Sequence, residues 1–423
     1  MSTIMIKKIR NRIPKDFFNV FAFDILSKVF MIIITILLIR MMPPSEYAKL
    51  VQFTALSSFI CGIFGEGISL SFIRYSTEQY SRTGKSSFGL HMLSSILIIM
   101  LSFLSLLIVP ILSGIYNTSV TVVVFASFYG FILSLINMNQ GYFQSREMYI
   151  KSGITNNLRN VFLLAFLLIL LIFIGEADGQ QVFVIYVLCG ILAFFFGSYS
   201  IYKGVAFKEL LMDFSNFKLM LHDSIGIIIY LIMLNVINQV DVVMISHLMS
   251  VEDVAIYGIA FKYYSLLLTL LPSIKAVLRV RTSKKEYIDN FTQRKDFTLT
   301  WLKKTWIFVV PFSLIIILAS DFFMPLLNGS QYDNSIATFK ILTIGVGISY
   351  MFASNTSIMM AAKKYKTLCA LAAGALIIDI ILAWILIPIY GINGAAIATI
   401  TAHTLINVSV TFFILFDKGV HRR

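Results

Sequence analysis

About twelve stretches of some twenty mostly apolar residues follow one another along this 423-residue chain, with only short polar intervals between them. A transmembrane helix needs about 20 such residues to cross the hydrocarbon layer. The stretches lie near residues 16–41, 47–73, 87–112, 118–142, 154–174, 181–202, 223–247, 253–279, 299–319, 334–361, 367–388 and 392–416. The expected class is therefore an all-α integral membrane protein with about twelve transmembrane helices. Composition agrees: hydrophobic residues make up 58% and charged residues 13%, where soluble domains carry about 25% charged residues. Mean hydropathy is +0.86. A soluble enzyme is excluded.

The formal net charge of +13 does not point to nucleic acid, because the basic residues form short clusters between the apolar runs. If the chain starts inside and alternates, 29 of its 34 Lys and Arg residues fall on the cytoplasmic side. They include Lys7, Lys8, Arg10, Arg12 and Lys15 at the N-terminus, Arg146, Lys151 and Arg159 in the middle, nine between Lys275 and Lys304, and Lys418, Arg422 and Arg423 at the end. The positive-inside rule then puts both termini in the cytoplasm. The first apolar run is too long for a signal-peptide core and lacks a small-residue cleavage site, so it reads as a retained helix. Cys61, Cys189 and Cys369 sit in apolar runs without metal or disulfide spacing and read as packing residues. No outer loop exceeds about a dozen residues, which leaves no room for an extracytoplasmic catalytic domain.

The chain also repeats itself. IRMMPPSEYAKLV (Ile39–Val51) is echoed by SHLMSVEDVAIYG (Ser246–Gly258), 207 residues later. This predicts two lobes, residues 1–206 and 222–423, joined by a cytoplasmic linker at 207–221. With six spans each, both lobes enter the membrane in the same sense and are related by an axis along its normal. A cleft between such lobes can open to either side.

SEYAKL (Ser45–Leu50), FGEGISLSFIRY (Phe64–Tyr75), EDVAIYGIAF (Glu252–Phe261) and above all GINGAAIAT (Gly391–Thr399) resemble the polysaccharide flippases, the Wzx-type branch of the multidrug/oligosaccharidyl-lipid/polysaccharide (MOP) exporter superfamily. The resemblance covers the whole chain. It implies two six-helix bundles around a central cavity lined by spans one, two, seven and eight, in a bacterial cytoplasmic membrane. The implied substrate is an oligosaccharide on undecaprenyl pyrophosphate, an O-antigen or capsule precursor moved from the inner to the outer leaflet. A polysaccharide polymerase and a chain-length regulator are the implied partners, and one chain is the expected transport unit. No cofactor is implied, and the choice between H+ and Na+ as coupling ion is left open.

Charged residues inside spans are costly and mark function or pairing. A pyrophosphate crossing hydrocarbon must exchange its water for cationic and hydrogen-bonding side chains. Lys28 in span one and Lys262 in span eight are the leading candidates, with Arg40 and Lys49 as a release station near the outer end. The alternative is structural: Lys28 pairs with Asp24 one turn earlier, and Arg40 and Lys49 snorkel to headgroups. Asn235, Asn238 and Gln239 share one half of span seven with Asp241, a polar face suited to sugar or to interhelical bonding. Depth counting allows Asp241 to pair with Lys262, and Asp379 with His403, the latter as a proton carrier or as a static pair. Glu66 lies on a face with Ser58, Gly62 and Ser69, which reads as a close-packing seam holding a buried acid. Asp24 and Glu66 are further coupling-ion candidates. Pro110, Pro272 and Pro311 mark hinges or fixed kinks.

Two other functions remain open at this level. A cation-coupled multidrug exporter of the same superfamily would need an acidic cavity for cationic drugs, where this chain has lysines. A membrane glycosyltransferase or polymerase would need a nucleotide-sugar loop that the sequence lacks.

Overall fold

The computed structural model describes residues 15–83, 88–203, 205, 214–268, 271, 274–275, 278, 291–329, 332–362 and 364–416. The expected basic residues Lys7, Lys8, Arg10, Arg12, Lys85, Lys208, Lys363, Lys418, Arg422 and Arg423 lie outside them. So do Pro272, residues 279–290 of the long basic stretch, and residues 207–213 of the expected linker.

The described secondary structure is helical. In chain order the helices are α1 (Lys15–Met41), α2 (Pro44–Cys61), a π-helical turn (Gly62–Glu66), α3 (Gly67–Thr83), α4 (Phe88–Leu107), α5 (Val109–Ile115), α6 (Val120–Ser145), α7 (Tyr149–Phe173) and α8 (Gly179–Tyr202). They continue with α9 (Phe214–Leu248), α10 (Val251–Leu267), α11 (Phe291–Asn328), α12 (Ser335–Met351), α13 (Ala353–Ala361), α14 (Tyr365–Tyr390) and α15 (Ile392–Phe416). Among the described residues ten helical runs, α2 to α3 counted as one, are long and apolar enough to cross a membrane. The pair α12 and α13, bent by 45°, makes an eleventh. The remaining expected span begins as α10, and Leu271, Ile274, Lys275 and Leu278 are helical beyond it.

Local chemistry fixes the ends. Pro44 opens α2, where its missing N–H costs nothing. Ser250 and Asp253 cap α10 reciprocally, with Asp253 N–H donating to Ser250 Oγ at 3.3 Å and Ser250 N–H to Asp253 Oδ2 at 3.1 Å. The repeat holds in the helix boundaries: α1 ends at Met41 and α9 at Leu248, α2 starts at Pro44 and α10 at Val251, each pair 207 apart. Span three is shorter than its apolar run, because the helix breaks at Ile108 and Pro110 enters the short α5. Pro311 is accommodated within α11.

In the N-terminal half α6 is the hub, packing on α2, α3, α4, α7 and α8, while α1 lies along α7. In the C-terminal half α14 packs on α9 and α15, and α12 on α10, α11 and α15. The halves meet where α2 packs on α10 and where α9 packs on α2 and α3. Phe53 sits in the first core, stacked on Phe183 at 4.6 Å and Tyr129 at 5.4 Å. The three cysteines are free, as their apolar surroundings suggest.

One end of the molecule, the turn end, carries the α1–α2, α5–α6 and α9–α10 connections. There Asn117 Nδ2 donates to Ser246 O at 2.8 Å, His247 Nε2 contacts Ile115 O at 2.8 Å, and Arg40 Nη2 donates to Leu326 O at 3.4 Å. Tyr47 and Tyr332 meet at 6.3 Å. Below them Gly258 lets α10 approach α2: a Cβ there would lie 2.3 Å from Val51 Cγ2. These contacts join the two halves at that end.

Candidate functional site

A cavity of about 790 Å³ lies between the halves. On α1 its lining runs from Asp24 to Thr35 and on α9 from Tyr230 to Val242, stopping in both cases six residues short of the turn end. At 1.5 Å per residue that leaves a plug about 9 Å thick. The four spans expected at the wall, one, two, seven and eight, all line it. So do α7 and α15, with single rings from α6 (Tyr129) and α8 (Tyr186), which broadens the expected wall.

Of the four half-buried cations that line the cavity, Lys28 on α1, Arg159 on α7, Lys262 on α10 and Lys275, the first three lie within electrostatic reach of one another. Lys28 Nζ also lies 3.8 Å from Met31 Sδ and feels Asp24, one turn away. Arg159 Nε and Nη2 contact Asn160 Oδ1 at 3.4 and 3.3 Å, and Asn160 Nδ2 donates to Ser27 Oγ at 3.1 Å. Asn157 Nδ2 reaches Phe23 O at 3.1 Å. The α1–α7 seam is thus zipped by amides that hold Arg159 against the cavity.

Arg159 is the main correction to the sequence reading, which counted it among cytoplasmic charges. It stands eleven residues into a 25-residue span. The signal was Asn156, Asn157, Arg159 and Asn160 in one five-residue stretch, absorbed into an orientation count. Lys275 was likewise read as cytoplasmic and lines the cavity.

Asn235, Asn238 and Gln239 all face the cavity, as the polar half of span seven suggested. Asp241 does not join them. It is 1% exposed and accepts from Tyr257 Oη and, at 2.5 Å, from Thr399 Oγ1, so the expected pairing with Lys262 is not formed. Their nearness in depth did not make them neighbours, because they leave their helices in different directions. The Asp379–His403 pair is not formed either: His403 lines the cavity. Asp379 is fully buried, its carboxyl oxygens take no hydrogen bond among the described residues, and it lies within electrostatic reach of Asp241. Glu66 ends the π-helical turn and accepts from Asn235 Nδ2 at 2.9 Å, at a seam where Gly62 leaves room for the amide. Arg40 and Lys49 are outside the cavity lining. Arg40 caps a carbonyl at the turn end, and Lys49 pairs with Glu46 at 2.5 Å, whose Oε2 accepts from Gly179 N–H at 3.2 Å.

The fold is that of known transporters. The chain superposes on the lipid II flippase MurJ in an inward closed conformation with a TM-score of 0.73 and 16% identity, covering 93% of this chain and 86% of that one. A multidrug resistance MATE family transporter of the MOP superfamily, inward-facing, gives 0.75 and 11%, covering 94% and 97%. A MOP superfamily transporter from Pyrococcus furiosus, described as having a binding pocket of reverse polarity, gives 0.65 and 12%, covering 94% and 93%. At these identities the likeness is one of fold. No curated protein matches the sequence. A family model does, over residues 13–278, well over half the chain. With that match over more than half its length, and a fold shared with MOP transporters, the chain belongs to the polysaccharide biosynthesis protein family.

Proposed function

We propose that this protein is a flippase for oligosaccharides carried on undecaprenyl pyrophosphate, turning O-antigen or capsule precursors from the inner to the outer leaflet of a bacterial cytoplasmic membrane by alternating access. The observation that carries the reading is the cluster of Lys28, Arg159 and Lys262 on opposite walls of one cavity. Three cations brought together away from bulk water repel one another, and a diphosphate supplies the charge and acceptor oxygens that relieve them. Arg159 offers a planar fork to a phosphate and the two lysines offer mobile point charges. Asn238, Gln239 and the neighbouring rings give the sugars amide partners and stacking faces. Arg40 and Lys49 keep the proposed role of an outer release station.

The basic clusters support cytoplasmic termini. The cavity then lies on the cytoplasmic side of the joined turn end, a state ready to load. Among the titratable groups open to a coupling H+ or Na+, namely Asp24, Glu66, Asp241, Asp379 and His403, the two most buried are Asp241 and Asp379. A single chain holds the whole cavity and is the transport unit. A polymerase and a chain-length regulator would take over the product.

The test is deletion followed by complementation. Loss of the protein is expected to leave lipid-linked oligosaccharide on the cytoplasmic face and to stop surface polysaccharide. Wild-type protein restores it, while Lys28→Gln/Lys262→Gln, present in the membrane at equal amount, does not. Normal polysaccharide with both lysines replaced removes them from the mechanism. A deletion that changes only drug susceptibility transfers the protein to multidrug export, a substrate class that the cationic wall disfavours.

A further inference from the structure

Asn235 sits where the cavity wall meets the seam between halves, and its surroundings decide which way its carboxamide faces. Its Nδ2 donates to Glu66 Oε2 at 2.9 Å and to Leu231 O at 2.9 Å. A primary amide has two N–H donors, so both are committed. With Glu66 ionised, rotating the amide by half a turn would set its oxygen against a carboxylate and a carbonyl, two acceptors. The orientation is therefore fixed by chemistry, where an amide is otherwise free to face either way. What remains is Oδ1, which has no partner among the described residues, on a side chain that lines the cavity.

The backbone is arranged around this contact. The helix from Pro44 to Thr83 changes to π geometry over Gly62–Glu66, and such single π turns recur at functional sites. The carboxylate of Glu66 ends that turn and faces the α9 amide. Gly62 supplies the space: a Cβ there would lie 2.2 Å from both Cγ and Oδ1 of Asn235. The acid spans from one half of the molecule to the other, and the described residues give it no cationic partner at hydrogen-bond distance. A half-buried charge in a span asks for a task.

We propose that Glu66 is a positioning residue that locks Asn235 with its amide oxygen toward the cavity, where it selects the O–H and N–H donors of the glycan. An acceptor at this point repels phosphate oxygens, which are acceptors too. The diphosphate is thereby kept to Lys28, Arg159 and Lys262, and the sugar to the α9 wall. Glu66 thus sets the register of the substrate without touching it. This inference rests on the flippase reading above.

The experiment compares two ligands on purified full-length protein in detergent: undecaprenyl pyrophosphate without sugar, and the lipid-linked oligosaccharide extracted from a deletion strain. Wild-type protein is expected to bind the glycosylated lipid about tenfold more tightly, the worth of one well-placed hydrogen bond. Glu66→Met, which leaves the amide free to turn, and Gly62→Ala, which displaces it, are expected to abolish that preference while keeping affinity for the bare lipid within about twofold. Glu66→Gln keeps an acceptor in place and retains the preference. Lys28→Gln weakens both lipids alike. A preference that survives Glu66→Met, a loss of affinity equal for both lipids in Glu66→Met, or a Glu66→Gln variant as defective as Glu66→Met overturns the proposal. Wild-type protein that binds neither lipid overturns the flippase reading instead, and this inference with it.

Discussion

Asp241 and Lys262 stand on the two arms of one hairpin and do not meet: the acid turns into the C-terminal half toward Tyr257 and Thr399, and the amine lines the cavity. A buried carboxylate held by two hydroxyls cannot be removed cheaply, since both donors would lose their partner. Tyr257→Phe and Thr399→Val are each expected to lower stability by about 1 kcal/mol, and Asp241→Ala by about 2–4 kcal/mol. Thermal unfolding of the detergent-solubilised protein checks this. An Asp241→Ala midpoint equal to wild type would show that the contacts contribute nothing.

Arg159 was invisible to charge counting and is expected to matter as much as the lysines. A charge-assisted contact to phosphate is worth about 1.5–3 kcal/mol, so Arg159→Gln should weaken binding of undecaprenyl pyrophosphate by about tenfold to a hundredfold. Arg159→Lys keeps the charge but loses the fork, and should recover part of that loss. Direct binding measurements at low and high salt separate charge from shape.

Arg40 and Lys49 make an opposite forecast for the loading step. Lys49 forms an exposed pair with Glu46, and such pairs contribute about 0–1 kcal/mol. Lys49→Gln and Arg40→Gln are expected to leave the affinity of the loading state within about twofold of wild type. If either lowers it as far as Lys28→Gln does, the anion path extends through the turn end.

The turn end is held by Asn117 on Ser246 O and His247 on Ile115 O. Removing both contacts with Asn117→Ala/His247→Ala costs about 2 kcal/mol, enough to shift the population of the state open at that end by more than tenfold. Gly258→Val, which drives a side chain into Val51, should act in the same direction. In a variant lacking the three native cysteines, a cysteine at Thr54 reports this as faster labelling by a membrane-impermeant maleimide added from outside. Unchanged labelling in both variants would mean that other contacts close this end.

Some features were readable because they are local. An apolar run of about twenty residues has one low-energy form in a bilayer, a helix whose backbone bonds close on themselves. Pro44 and the Ser250–Asp253 box start helices by contacts within three or four residues, so the 207-residue repeat in the letters reappears as a repeat of helix ends. Lys28 and Lys262 were legible for the same reason, being charges in the middle of hydrocarbon-soluble text. Counting residues along a helix also gave each charge its place along the span, which is a local property.

Neighbourhood was not legible, because it depends on how each helix is rotated and against which partner it packs. Tertiary packing sent Asp241 to Thr399, 158 positions away, and left Asp379 apart from His403. It brought Arg159, counted with the cytoplasmic charges, to the cavity wall, and it set Glu66 against Asn235 across 169 positions. The sequence by itself determined a helical membrane protein of many spans, with helix ends repeated 207 residues apart and cations within its apolar runs, since span length and charge cost are properties of a segment and its solvent. Only the tertiary structure decided which of those charges share a cavity, since two side chains at one depth become partners only when their helices turn the right faces to each other.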